Sequence, residues 1–424
     1  MKNHFPRLAC GLTVLTIALV PVFQGLKAAN RGRSIAFSEH LISGDFTYPY
    51  AIAVGDIDKD GDLDLTVSDC TTRGSREHND VYWFENQGNE TFARHSVWSE
   101  PRTGRFERHQ LADINRDGYL DVVIVDNQHH SVLWFENNKN PRTKGPWERH
   151  VVTASGLNYA YDVDVGDLDG DGDLDVVGAA GWREGQEFAW FENDGNFSKE
   201  WTKRQIEGEV GETRVIRVAD FDGDRDLDVL GTAARKGQVI WYENGGKPQT
   251  QAWRKHVIAT IARPCHGQPV DMDRDGDVDV LVSVGMGDGK VPSDLKPVSH
   301  MVAWFENVGK RGRGMEWKQH VIYEPFPQSN DSVAGDLDGD GDLDVVATGW
   351  GNTGQIAWFE NPGKAGGAWV FHALKERWSD PTHVLVADFN GDKRPDIVAT
   401  AEWGSLEVRW WRNEGRANGK QSRR

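Results

Sequence analysis

At 424 residues the chain is longer than one hydrophobic core usually grows, so it must hold several domains or one architecture built of repeats. Its 66 Asp and Glu exceed its 48 Lys and Arg, and a formal net charge of −18 disfavours nucleic acid and anionic membrane as partners.

The chain opens on MKNHFPR, a positive start, followed at residues 8–23 by an apolar run too short and too proline-interrupted to span a bilayer. Residues 1–29 are therefore expected to be a secretory signal peptide, and losing Lys2, Arg7 and Lys27 with it leaves a mature chain of −21. Cys10 lies at the start of the apolar run rather than at its end, which argues against a lipoprotein. No later segment reaches membrane-spanning length, so we expect a secreted protein, extracellular or periplasmic, without membrane insertion. Cys70 and Cys265 form no disulfide framework and are expected to be free buried thiols.

From Gly55 onward an acidic segment recurs: GDIDKDGDLD from Gly55, ADINRDGYLD from Ala112, GDLDGDGDLD from Gly166, ADFDGDRDLD from Ala219, VDMDRDGDVD from Val270, GDLDGDGDLD from Gly335 and ADFNGDKRPD from Ala387. The first aspartates are 57, 54, 53, 51, 65 and 52 residues apart. A second motif keeps the same phase: WFEN from Trp83, Trp134, Trp190, Trp304 and Trp358, WYEN from Trp241, and WWRN from Trp410. A third, an aromatic and often a His before two apolar residues, follows six of these, at Phe92, Trp147, Trp201, Trp253, Trp317 and Trp369. Its seventh copy, AFSEHLI at residues 36–42, lies ahead of the first acidic loop.

That displacement sets the topology. Each unit reads as four strands: A before the acidic loop, B after it, C at the WFEN motif and D at the third motif. The last unit lacks its D strand and the N-terminus carries a spare, which a circle repairs. The fold expected over residues 34–413 is an all-β, seven-bladed β-propeller closed by its N-terminal strand, with a disordered basic tail at 414–424.

Within each loop, positions 1, 3, 5 and 9 are Asp or Asn in all seven copies. Position 1 is Asp56, Asp113, Asp167, Asp220, Asp271, Asp336 and Asp388, and position 3 is Asp58, Asn115, Asp169, Asp222, Asp273, Asp338 and Asn390. Position 5 is Asp60, Asp117, Asp171, Asp224, Asp275, Asp340 and Asp392, and position 9 is Asp64, Asp121, Asp175, Asp228, Asp279, Asp344 and Asp396. Position 7 varies, as Asp62, Tyr119, Asp173, Asp226, Asp277, Asp342 and Arg394. This is the pattern of a Ca²⁺ loop in which side-chain oxygens come from the constant positions and a backbone carbonyl from the variable one. Up to seven Ca²⁺ are expected. Position 6 is Gly except at Arg225 and Lys393, so sites four and seven are expected to be weakest.

These loops, flanked by apolar strands and followed by W-[FY]-E-N, resemble the FG-GAP or VCBS-type repeats of secreted bacterial proteins and are similar to the calcium-bearing blades of integrin α-subunit propellers. The resemblance implies a propeller with calcium. It implies no particular activity, since such repeats occur in adhesins, lectin-like binders and carbohydrate-active enzymes.

Of the 18 tryptophans, seven open C-strand motifs and five open D strands, and packing between blades accounts for them. Trp182, Trp350 and Trp403 instead fall in B-to-C connections, on the face opposite the acidic loops, where exposed aromatics stack on sugar rings. The same face receives the starts of the A strands. Five residues before each first Asp stand Ala51, Arg108, Asp162, Val215, His266, Asp331 and His383, and three before stand Ala53, Gln110, Asp164, Arg217, Gln268, Val333 and Leu385. Alternation puts both rows on one side. With Tyr50, Tyr161, His109 and Arg214 nearby, they form a candidate ligand site, or else a wet channel whose charges pair with one another.

Three functions stay open. The leading one is a binding or adhesion module for carbohydrate, monomeric, on the face opposite the loops. A carbohydrate-active enzyme, a lyase, hydrolase or dehydratase, would use a Tyr or His base beside an Arg at the channel mouth, or a transition metal on His109, His266 and His383. A protein-docking scaffold would use the insertion at residues 285–300 against a cell-surface partner.

Overall fold

The computed structural model describes residues 35–70, 78–88, 90–101, 104–142, 146–181, 186–287, 291–309, 313–363 and 367–416. The signal segment, Trp182 and the tail beyond 416 lie outside them.

Seven antiparallel sheets of four strands form the blades, and the strand order within each follows the chain in six. The innermost, A, strands are Pro49–Gly55, Phe106–Ala112, Ala160–Gly166, Thr213–Ala219, Pro264–Val270, Ser329–Gly335 and Pro381–Ala387. The first packs against both the second and the seventh, which closes the ring. In the seventh blade the N-terminal strand Ile35–Ser43 supplies the missing outer strand, pairing Ile35 with Arg416 at the far end of Glu407–Arg416. That last strand runs past the expected boundary at Asn413, so the first residues assigned to a tail are strand.

The B strands, such as Asp121–Asp126 (DVVIVD), are buried at every residue because each has a strand on both sides and a blade on both faces. The apolar cores lie between blades: Trp190 and Val177 of the third pack with Ile216, Val229 and Tyr242 of the fourth. All seven C-strand tryptophans are buried, as the sequence led us to expect. The His of the D strand stacks on that Trp and pairs with the Glu of WFEN, as His95 does with Trp83 at 4.4 Å and Glu85 at 2.7 Å. Four further blades repeat this triad. In the third blade Arg204 takes the place of His, reaching Glu192 while lying over Trp190. Cys70 and Cys265 are free and buried.

Position 6 of the acidic loop is left-handed in every copy, from Gly341 at φ 101° to the non-glycines Arg225 at 81° and Lys393 at 68°. A side chain there costs about 1 kcal/mol. Arg225→Gly is therefore expected to raise the unfolding free energy by about 1 kcal/mol, seen as a higher urea midpoint at unchanged slope. Gly223→Arg, which forces a side chain into the left-handed region at position 4 (φ 75°), should lower it.

Candidate functional site

The seven loops share one hydrogen-bond plan. The position-1 carboxylate takes the N–H of position 6, as Asp56 does from Gly61 and Asp220 from Arg225. The position-5 carboxylate takes the N–H of position 7, including Tyr119 at 2.9 Å and Arg394 at 2.9 Å. Position 7 is thus held through its backbone, which is why its side chain varies. Carboxylate oxygens converge: atoms of Asp56, Asp58 and Asp64, of Asp167, Asp169 and Asp171, and of Asp220, Asp222 and Asp228 lie within 4.8 Å of one another. Such oxygen-only clusters fit a hard cation. In loops one and six an arginine from elsewhere reaches position 3, Arg142 to Asp58 at 2.5 Å and Arg416 to Asp338 at 3.0 Å.

Position 9 has a second employment. One oxygen of Asp228 takes the N–H of Phe221 at position 2, and the other takes the N–H of Asn244, the last residue of WYEN. The same pair of bonds recurs in all seven blades. The Asn side chain then reaches back to the preceding blade: Asn244 Nδ2 donates to the carbonyl of Leu168 at 2.7 Å and to that of Leu227 at 3.1 Å. Asn86, Asn137, Asn307 and Asn413 make the same inter-blade bond. Position 2 is buried and apolar throughout, from Ile57 to Phe389. Sequence reasoning missed this latch; the invariant Asn beside an apolar position 2 was the available signal.

On the opposite face the structure gathers the expected ligand residues but covers them. Tyr50, Arg108, His109, Tyr161, Asp162, His266, Asp331 and His383 are all at most 8% exposed. The Tyr161 hydroxyl meets the Tyr50 hydroxyl at 2.9 Å, His266 Nε2 at 3.2 Å and Arg214 Nη1 at 3.2 Å, so side chains from four blades close the throat. Arg108 and His383 approach Asp331 at 3.8 and 3.7 Å, and Arg217 holds Asp162 at 2.8 Å. Burial and the neighbouring arginine push His109 down to about 3, and burial likewise holds His266 and His383 well below the usual imidazole range. The three histidines are committed to different partners: Thr66, Tyr161 and the Ile52 N–H. Arg217 pairs with Asp162 and Arg108 lies near Asp331, as the expectation of a channel with paired charges had it, but side chains close the throat that was expected to be open.

Above the plug, among the described residues, one tryptophan of the rim is exposed. Trp403 is 51% exposed and packs edge-to-face with Tyr48 at 5.0 Å between ring centres, and the Arg105 guanidinium lies 5.7 Å from the centre of the Tyr48 ring. Beneath it Glu402, buried and pushed up to about 7 by that burial, accepts the indole N–H of half-buried Trp350 at 2.5 Å. Arg105 and Glu402 were not singled out as ligand residues, although Glu402 precedes Trp403 directly. The insertion at 285–300 carries a short 3₁₀ turn, Ser293–Leu295, and is tied to the sixth blade through the Gln328–Gly287 bond.

A model of the FG-GAP-like repeat matches residues 70–124, 113–178, 220–282 and 336–399. Among solved structures, a lectin of Agrocybe aegerita described for specific recognition of non-reducing terminal N-acetylglucosamine is similar at TM-score 0.51 and 19% identity, over 79% of this chain and 82% of that one. BBS1N, solved in complex with ARL6DN, is similar at TM-score 0.53 and 12% identity, over 89% of this chain and 96% of that one. No curated protein matches the chain. No helix among the described residues is long and apolar enough to cross a membrane.

Proposed function

This chain belongs to the FG-GAP-like repeat family, and we propose that it is a secreted, calcium-stabilised propeller that binds carbohydrate on the rim opposite its acidic loops. The carrying observation is Trp403, half exposed at the edge of Tyr48 with Arg105 and Glu402 beside it. An indole face covers the C–H face of a sugar ring, and a guanidinium nearby supplies hydroxyl contacts. The lectin's recognition of terminal N-acetylglucosamine on a related fold supports the reading.

Calcium would be held by positions 1, 3 and 5, with position 9 or the carbonyl of position 7 completing the shell. When bound, it neutralises each carboxylate cluster and clamps the turn between A and B strands. Seven ions would bring a mature chain of −21 to −7, a tolerable charge. Outside the cell, calcium reaches the ~10⁻⁴–10⁻³ M range that extracellular modules need.

A glycan array probed with the calcium-loaded protein is the test. We expect retained glycans, no released product, and a loss of about tenfold or more for Trp403→Ala with an unchanged melting curve. Product release would replace the reading with the enzyme alternative, and an empty array with co-purifying protein would replace it with the scaffold.

A further inference from the structure

The two ends of the central channel differ. The first four residues of nearly every A strand are buried, whereas most of those nearer the acidic loops are partly exposed. The channel is therefore stoppered on the rim side and open between the acidic loops. Its cavity measures about 360 Å³ and is lined by every residue of the row three before the first Asp. Four of these, from consecutive blades, are polar: Gln110, Asp164, Arg217 and Gln268. The other three, Val333, Leu385 and Ala53, complete this row as apolar positions, while Asp331, Ser332 and His383 also line the cavity, one and two residues earlier in their strands, toward the stopper.

The polar half is only partly spent. Asp164 accepts the Val218 N–H at 3.0 Å, and Arg217, which lines the cavity, uses Nη1 on Asp162 and on the Ile216 carbonyl. Gln110 and Gln268 are half-buried, and their carboxamides make no hydrogen bond to any described residue. Two carboxamides, a carboxylate and a guanidinium offer both donors and acceptors, opposite three apolar side chains at the same level. That is the complement of a ring bearing hydroxyls on one side and C–H groups on the other. A purely apolar ligand would strand the carboxamides, and a strongly anionic one would pass the acidic loops and meet Asp164 and Asp331. The volume lies at the small end of ligand pockets, and the stopper of Tyr50, Tyr161 and Arg108 admits no chain through it.

We propose that the channel is a second ligand site, entered from the acidic-loop face, for a single neutral pyranose, free or as a chain terminus. It is independent of the rim reading, since it uses none of the rim residues. Titration calorimetry of the calcium-loaded protein with the methyl glycosides of glucose, galactose, mannose and N-acetylglucosamine tests it. At least one should bind with a Kd of about 1 mM. The Gln110→Leu/Gln268→Leu double variant should weaken it by about thirtyfold, while Trp403→Ala leaves it unchanged. No heat from any of the four overturns the proposal. So does binding that the Gln variant keeps, and binding that Trp403→Ala alone abolishes assigns the sugar to the rim. Ala53→Phe, which fills the apolar side of the cavity, is a second variant should the double one fail to fold.

Discussion

Chelation of calcium is expected to lower the melting temperature by about 10–15 °C. The size follows from mass action. At an extracellular concentration about tenfold above a Kd of ~10⁻⁴ M, each ion that binds the native state alone contributes about 1.4 kcal/mol, so seven contribute about 10 kcal/mol. A chain of this length unfolds with an entropy of about 0.8 kcal/mol per degree, which converts that sum to about 12 °C. The sites should not empty together. Loops four and seven carry Arg225 and Lys393 in left-handed backbone, and loops one and six have an arginine at position 3 that an ion must share or displace. Those four should release calcium first as chelator rises, followed by loops two, three and five. Differential scanning calorimetry in EGTA, with magnesium as control, reads the shift, and a melting curve unmoved by EGTA would sink the calcium assignment.

The second large effect is expected at the inter-blade latch. Asn244→Ala should destabilise by about 4 kcal/mol. The side chain is buried and donates to two carbonyls, Leu168 of the third blade and Leu227 of the fourth. Removing it strands both in a dry interface at about 1–3 kcal/mol each. Asn196, an exposed asparagine in the preceding C-to-D connection, is the control, and its alanine variant should change stability by less than about 0.5 kcal/mol. Equilibrium urea unfolding measures both; equal effects at the two positions would mean that the latch is not what holds adjacent blades.

Much of the ring could be read in the letters, because the repeats share one phase and the displaced AFSEHLI segment left one strand too many at one end and one too few at the other. The freedom of position 7 was readable too, since a side chain that can be Tyr119 or Arg394 cannot be what the loop needs there. The latch was harder to see. Asn86 bonds the carbonyl of Phe389, some three hundred residues away in sequence, and a motif taken one repeat at a time shows only turn chemistry at its Asn. The state of the channel was harder still. Alternation correctly placed both A-strand rows on one side, but whether seven inward side chains leave a mouth depends on their length. Tyr161 is long enough to reach His266 and Arg108 to approach Asp331, so the end expected to be open is shut. Gln110, Asp164, Arg217 and Gln268 stop short, so the other end is open. Trp350 and Trp403 stood out by their glycine-flanked context, yet only the fold puts Tyr48 and Arg105 beside the second of them.

The central claim is that the seven carboxylate clusters are metal sites, and that ligands bind elsewhere. It is tested most directly by counting bound calcium per chain, by elemental analysis and native mass spectrometry after dialysis into calcium-free buffer and after readdition at about 1 mM, the extracellular range. The account predicts close to seven ions after readdition, and loss of one with Asp167→Ala/Asp169→Ala in loop three. A chain that takes up no calcium, or whose count the paired substitution leaves unchanged, would contradict it.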